Sequence, residues 1–149
     1  MKILIVEDDP YKFAQIKAIT LSTVPDVSLA HFNSVHGAVR YLKSETPDKI
    51  ILDMSLPTHP PMVGEGSPVS MGSGGVEVLL TLRRLKKYDL PVAILTQYHN
   101  FEIEDEYYSL DAAPEALQEL YSLDRVVAIL YEHDSDIWVR IIKNFLEYE

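Results

Sequence analysis

The sequence predicts an α/β protein with a parallel sheet and helices on both of its faces. Short apolar runs at about 3–6, 50–52 and 92–95 lack the alternation of a half-solvated sheet, as expected of strands covered on both sides. Segments with helical apolar spacing separate these runs, which is typical of parallel strands joined by crossover helices. The 149 residues, 47% of them hydrophobic, suffice for one domain with a sizeable core.

The first half of the chain alternates strand and helix. Strand one is predicted at about 2–6, and Pro10 suits the first turn of a helix that runs to about Ser22. The inward residues of this helix, by their spacing, are Phe13, Ile16 and Ile19. Val27 to Phe32 is predicted to form strand two. Asn33 or Ser34 can cap helix two, whose apolar stripe is Val35, Ala38, Val39 and Leu42.

The second half repeats the pattern with two longer connections. The apolar residues Ile50, Ile51 and Leu52 predict strand three, which ends by Pro57 because proline cannot continue a ladder. The later elements are predicted as helix three from about Gly75 to Lys86, strand four from Val92 to Leu95, a helix from Ala113 or Pro114 to Tyr121, strand five from Val126 to Leu130 or Tyr131, and a final helix capped by Asp134 or Ser135.

Acidic residues follow two of the predicted strands. Asp53 comes directly after strand three, and Glu7, Asp8 and Asp9 follow strand one. Ligands of open α/β sheets bind at the carboxyl ends of the strands, so these carboxylates are expected to meet there. A shared Mg²⁺ would relieve their repulsion, since it prefers oxygen ligands. The alternative for residues 7–9 is an acidic turn without a ligand.

These two segments resemble the receiver domain of two-component response regulators. The resemblance rests on Ile3 to Pro10 and on Ile51 to Pro57 and extends over most of the chain. It implies a flavodoxin-like, doubly wound, five-stranded parallel sheet in the order 2-1-3-4-5, with insertions after strands 3 and 4. It also implies that residues 1–149 form a single receiver-like domain.

The resemblance further implies a phosphorelay chemistry. Asp53 would accept a phosphoryl group, and Thr96 at the end of strand four would be the switch hydroxyl. Mg²⁺ would be bound by Glu7, Asp8, Asp53 and the backbone carbonyl of Ser55, with Glu7 acting through water. The implied partners are a histidine kinase or a phosphotransfer protein, and a downstream protein target. The chain would be an enzyme at most in transferring a phosphoryl group onto its own Asp53.

The sequence departs from the family at the lysine expected after strand five. That position holds Tyr131 or Glu132, and no lysine lies between Lys87 and Lys143. Gln97 also replaces a residue that is usually small. One alternative is therefore a pseudo-receiver, a protein-interaction module that works without phosphorylation. A Mg²⁺-dependent phosphohydrolase is disfavoured, because Asp53 has no second acid two residues later.

Two connections are longer than those of a simple α/β unit. Residues 58–74 are rich in proline and glycine and are expected to form a long flexible loop. Residues 97–124 include an acidic insertion at 101–124, which is expected to contact the downstream partner through Phe101, Tyr107 and Tyr108, together with the final helix. Alternatively, these aromatic side chains only attach a long loop to the core.

Composition limits the remaining function classes. The net charge of −10 disfavours direct binding to nucleic acid or to an anionic membrane. The chain has no cysteine, which excludes disulfides and thiol chemistry. We find neither a signal peptide nor a membrane span, and we expect a stand-alone cytoplasmic protein whose output is protein contact.

Overall fold

The structure, a computed structural model, describes residues 1–59, 70–71 and 74–148. Its elements, in chain order, are β1 (Lys2–Val6), α1 (Pro10–Thr23), β2 (Ser28–Phe32), α2 (Val35–Ser44), β3 (Lys49–Leu52), β4 (Leu56–Pro57), β5 (Ser70–Met71), α3 (Gly74–Arg84), β6 (Val92–Thr96), β7 (Asn100–Ile103), β8 (Glu106–Ser109), α4 (Ala113–Tyr121), β9 (Val126–Leu130) and α5 (Ile137–Glu147).

The main sheet has the order β2-β1-β3-β6-β9, and every neighbouring pair in it is parallel. This confirms the predicted fold class and the order 2-1-3-4-5 of the sheet strands. The register pairs Val6 with Leu52, and Leu52 with Ile94, so these strands end at the same edge. The residues that follow β1 and β3 therefore lie side by side.

Each face of the sheet has its own core. Alternate strand residues such as Ile5 and Ile51 pack with α1 and α5, around Trp138 and Ile142. The intervening residues, which include Leu52, pack with α2, α3 and α4. The central strands β1, β3 and β6 have nearly all of their residues buried, as expected for parallel strands covered on both faces. The longest helix, α1, has 14 residues, and no described helix is long and apolar enough to cross a membrane.

Two segments differ from their predicted structure. Leu56–Pro57 pairs with Ser70–Met71 in a small antiparallel ladder, so part of the predicted loop 58–74 is a strand. The rest of that prediction falls mostly on residues 60–69 and 72–73, which lie outside the described residues. Within 97–124, strands β7 and β8 form a hairpin that the sequence did not reveal.

Candidate functional site

The acidic residues predicted to meet do lie together at the carboxyl edge of the sheet. Glu7 follows β1 and Asp53 follows β3, and a carboxylate oxygen of each lies within 4.8 Å of the others and of one from Asp8. Glu7 is only 2% exposed and Asp53 only 8%. Three carboxylates this close repel one another, and burial strengthens the repulsion because little water screens it.

A lysine that the sequence analysis did not select enters this cluster. The Lys12 ammonium lies 2.7 Å from Glu7 Oε1 and 3.5 Å from Asp53 Oδ1. It also donates a hydrogen bond of 2.7 Å to the carbonyl oxygen of Leu95 in β6. Lys12 is 4% exposed. One buried ammonium therefore contacts oxygens that follow or belong to three neighbouring strands.

The start of α1 explains where Lys12 points. Asp9 caps the helix, and its side chain accepts hydrogen bonds from the backbone N–H groups of Tyr11 and Lys12. The Asp9 N–H donates in turn to Glu7 Oε2 at 3.2 Å. Side chains in the first turn of a helix lean towards its N-terminus. The cap thus directs Lys12 back over the acids.

Burial controls the protonation of the two acids. It raises the pKa of Glu7 to about 8, with a further increase from the charge of Asp53 and an opposing effect of Lys12. Burial also raises the pKa of Asp53, against the effects of Lys12 and of the backbone N–H groups of Ser55 and Met54. Both directions mean that, in the absence of a metal, burial favours the neutral, protonated form of each acid and that Lys12 offsets this effect only in part.

Two buried oxygen atoms face Lys12 without a directed hydrogen bond. Within the described part of the chain, Glu7 Oε1 and Asp53 Oδ1 lack a hydrogen-bond partner of good geometry. The ammonium is close enough for an ion pair with each. Buried oxygens normally have a directed partner, so both retain lone pairs that a further cation or donor can use.

The position after the last strand, where the family resemblance implies a lysine, holds Tyr131. The register pairs Thr96 with Leu130, and the Tyr131 N–H donates to Thr96 O at 2.7 Å. This fixes Tyr131, which is buried, rather than the exposed Glu132, as the residue next to the site. The Tyr131 ring centroid is 5.2 Å from Lys12 Nζ, within the range of a cation–π contact.

Thr96, the predicted switch residue, is fully buried at the end of β6. Its hydroxyl oxygen accepts a hydrogen bond of 3.2 Å from the Tyr98 N–H. The two residues that follow, Gln97 and Tyr98, line a cavity of about 270 Å³ above the acids. Lys12, Asp53 and Ser55 are also among the residues that line it.

The start of α3 closes the other side of the Asp53 loop. The Gly75 N–H donates to Met54 O at 2.9 Å. A Cβ atom on Gly75 would lie 2.5 Å from Asp53 O and 2.8 Å from the Met54 Cα. Only glycine fits this close approach of two backbone segments, so the helix and the loop that carries Asp53 are held together.

The donor set fits a hard divalent cation. With all three carboxyl groups ionised, the carboxylates and the Lys12 ammonium carry a formal charge of −2, which a divalent ion neutralises. The ligand atoms are oxygens, as Mg²⁺ prefers, and the cavity leaves room for the waters that Mg²⁺ retains. Glu7, Asp8 and Asp53 are thus brought together as predicted, and Ser55 lines the same cavity.

Comparisons with known proteins find similar sequences and similar folds. No protein-family model matches the chain. The chain is 43% identical over 147 residues to the Detocs response regulatory protein DtcB of Vibrio alginolyticus, covering 97% of this chain and 99% of that protein. It is 29% identical over 145 residues to the uncharacterized protein y4jR of Sinorhizobium fredii, covering 97% and 95% of the two chains.

Two of the solved structures with a similar fold are response regulators. The Mn²⁺-bound form of the response regulator Rcp1 matches with a TM-score of 0.65 and 22% identity, covering 99% of this chain and 96% of that chain. The phosphorylated cyanobacterial phytochrome response regulator RcpA matches with a TM-score of 0.64 and 20% identity, covering 99% and 91%. At these identities the likeness concerns the fold.

Proposed function

The chain belongs to the response regulators, and we propose that it is a stand-alone receiver that accepts a phosphoryl group on Asp53 with the help of Mg²⁺. The phosphoryl donor would be a phosphohistidine on a kinase or phosphotransfer protein, in the cytoplasm. The phosphorylated chain would act through contact with a downstream protein. The observation that carries the proposal is the convergence of Asp53 with Glu7 and Asp8 beside a cavity open to a donor.

The chemistry assigned to Asp53 is nucleophilic. One carboxylate oxygen of Asp53 attacks the phosphorus atom as the bond between phosphorus and the donor atom breaks. The donor group, an imidazole or an acetate, leaves with the bonding electrons. Mg²⁺ held by Glu7, Asp8, Asp53 and the Ser55 carbonyl would neutralise charge on the transferred oxygens. The Ser55 and Met54 N–H groups orient the Asp53 carboxylate.

A specific observation also favours a second candidate, the phosphorylation-independent pseudo-receiver. Lys12 already forms ion pairs with Glu7 and Asp53, so the site is partly neutralised without any ligand. In addition, Tyr131 stands where the family has a lysine. In this alternative the ion pairs with Lys12 take the place of a bound metal, and the chain binds its partner only in the unphosphorylated state.

The phosphorylation test compares intact masses. Wild-type protein and Asp53→Asn are incubated with acetyl phosphate and Mg²⁺, and mass spectra are recorded over time. We expect the wild type to gain one phosphoryl group and the variant none, with loss of the gain when EDTA replaces Mg²⁺. A wild type that gains nothing at any donor concentration would contradict the proposal and favour the pseudo-receiver.

The partner surface is proposed on the insertion and the adjacent final helix. Tyr107 on the hairpin is 72% exposed, whereas Phe101 is buried. Phe101 therefore attaches the hairpin to the core, and the Tyr107 side chain is accessible to a partner. Residues 97–124 contain no lysine or arginine. Their acidic residues are Glu102, Glu104, Asp105, Glu106, Asp111, Glu115, Glu119 and Asp124. A partner with a basic surface would be attracted to this face, and nucleic acid would be repelled.

A further inference from the structure

We infer that Lys12 of α1 is the cation that pairs with the phosphoryl group on Asp53, in place of a lysine after the last strand. The inference rests on the proposed function, because it assigns a role in the same phosphoryl transfer. It adds a group that comes from a different element of the fold. The geometry around the ammonium carries the argument.

Lys12 is already in reach of the atom that would react. Its ammonium lies 3.5 Å from Asp53 Oδ1, within ion-pair distance of that oxygen. Of the residues that line the cavity, all of them within the described chain, Lys12 is the only lysine or arginine. No other cationic side chain of that lining can meet a phosphoryl group on Asp53.

The anchoring of Lys12 fixes its position without occupying all of its donors. Glu7 Oε1 and Leu95 O, each 2.7 Å away, fix the ammonium on two sides. An ammonium has three donors and the directed hydrogen bond to Leu95 O uses one, so donors remain for Asp53 or for an oxygen attached to it. Since the contact with Asp53 is the longest of the three, it is the one that a phosphoryl oxygen can replace with the least change elsewhere.

Tyr131 supports this assignment from the strand side. It fills the place of the family's lysine and puts its ring 5.2 Å from Lys12 Nζ. Its hydroxyl bonds to Gln15 Oε1 on α1, the helix that carries Lys12. The position after β9 therefore carries an aromatic ring that contacts the cation, and the cation itself comes from α1.

The charge of the phosphorylated site also calls for a cation in addition to the metal. Phosphorylation would add one negative charge or more to a site whose three carboxylates exceed Lys12 by two charges. A divalent metal would neutralise the unphosphorylated site, and a positioned ammonium then stabilises the charge on the transferred oxygens. The transfer itself needs no proton from Lys12, which acts only as a charged hydrogen-bond donor.

The test measures how fast each of four proteins gains a phosphoryl group from acetyl phosphate and Mg²⁺, by intact mass. The proteins are the wild type, Lys12→Met, the matched control Lys17→Met, and the double variant Lys12→Met/Tyr131→Lys. Lys17 is an exposed lysine on the same helix. We expect Lys12→Met to be slower by about 100-fold, as for loss of one preorganised donor, and Lys17→Met to match the wild type. The double variant places a lysine at the position after β9. We expect it to gain the phosphoryl group at least tenfold faster than Lys12→Met.

The outcomes separate the inference from the proposed function. If the wild type and Lys17→Met gain the group and Lys12→Met gains it equally fast, the proposed function stands and the role of Lys12 is refuted. If the wild type gains no group, the proposed function fails and the inference fails with it. Recovery in the double variant supports the inference specifically, because a lysine that only stabilised the fold of α1 would not be replaced by one at the position after β9.

A second measurement covers the case in which Lys12→Met does not fold. The wild type is labelled with ¹⁵N at its lysine side chains, and Lys12→Arg identifies the Lys12 ammonium signal by its absence. Beryllofluoride with Mg²⁺, an analogue of the phosphorylated carboxylate, is then added. We expect that signal to shift on addition, whereas an unchanged Lys12 signal in protein that has bound beryllofluoride would refute the inference.

Discussion

Replacing Asp53 by asparagine should stabilise the metal-free protein, even though it removes one partner of an ion pair. The change keeps the shape of the side chain and an oxygen for the Ser55 and Met54 N–H groups, and it removes one buried negative charge. What it loses is the attraction to Lys12 at 3.5 Å, worth about 5 kcal/mol at an effective dielectric constant of 20.

The repulsion that disappears is larger. Glu7 and Asp8 each have a carboxylate oxygen within 4.8 Å of one from Asp53, so each repulsion is worth about 3.5 kcal/mol or more at the same dielectric constant. The difference favours the asparagine by about 2 kcal/mol, and relief of the cost of burying the Asp53 charge acts in the same direction. For a domain of this size, 2 kcal/mol corresponds to a rise in Tm of about 4–8 °C.

The assay is urea unfolding followed by circular dichroism, in EDTA, at pH 9 and at pH 6. The raised pKa of Glu7, about 8, means that the native cluster takes up protons that the unfolded chain releases. Its stabilising contribution is full below pH 4.5 and is lost as the pH rises through about 8. The wild type should therefore be less stable at pH 9, and the advantage of Asp53→Asn should be larger there than at pH 6.

Two controls complete the experiment. Asp89→Asn changes an exposed aspartate in the loop before β6 and should leave the unfolding free energy unchanged. Addition of Mg²⁺ should stabilise the wild type more than Asp53→Asn, because the variant lacks one carboxylate ligand. An Asp53→Asn protein that is no more stable than the wild type in EDTA at pH 9 would refute the electrostatic reasoning.

Two further predictions concern packing around the site and the insertion. Gly75→Ala should cost about 2 kcal/mol or more and slow phosphoryl gain, because the new Cβ would lie 2.5 Å from Asp53 O; urea unfolding and intact mass check both effects, and unchanged stability would contradict the packing. Tyr121→Phe removes a 2.7 Å hydrogen bond to Glu104 Oε1 at the turn of the hairpin. It should cost about 1 kcal/mol in urea unfolding and leave the rate of phosphoryl gain unchanged, and a slower gain would link the hairpin to the site.

The acidic cluster was predictable because parallel strands impose a simple geometry. A buried apolar strand must end in residues that lie at one edge of the sheet, and the acids after β1 and β3 were therefore expected to meet. Val6 pairs with Leu52, so the residues that follow them, Glu7 and Asp53, lie beside each other. The fold class and the meeting of Glu7, Asp8 and Asp53 follow from the apolar runs and the acids after them, whereas the strand order was implied by the resemblance to receiver domains.

Lys12 escaped the sequence analysis because helix α1 gives a weak signal. The apolar spacing indicated Phe13, Ile16 and Ile19 as the inward residues, but the buried positions are Lys12, Ile16 and Thr20, four residues apart. A lysine is rarely buried, so hydrophobic periodicity excluded it. Its spacing of four from Ile16, directly after the acidic turn, was the one available signal.

The hairpin in the insertion escaped for a different reason. Its turn residues, Glu104 and Asp105, both have positive φ values, of 51° and 70°. Two-residue turns of this kind are usually recognised by asparagine or glycine, which are absent here. The turn is held instead by tertiary contacts such as the bond between Glu104 and Tyr121, which the local sequence does not show.

The most direct test of the proposed site is a crystal structure of the protein with Mn²⁺ and beryllofluoride. We predict an anomalous peak for Mn²⁺ among Asp8, Asp53 and the Ser55 carbonyl, beryllofluoride on Asp53, and Lys12 Nζ within hydrogen-bond distance of a fluorine atom. Absence of metal and beryllofluoride from this cluster in a saturated crystal would contradict the proposed function. Both groups bound, with Lys12 still on Asp53 Oδ1 and no contact to fluorine, would contradict the role assigned to Lys12.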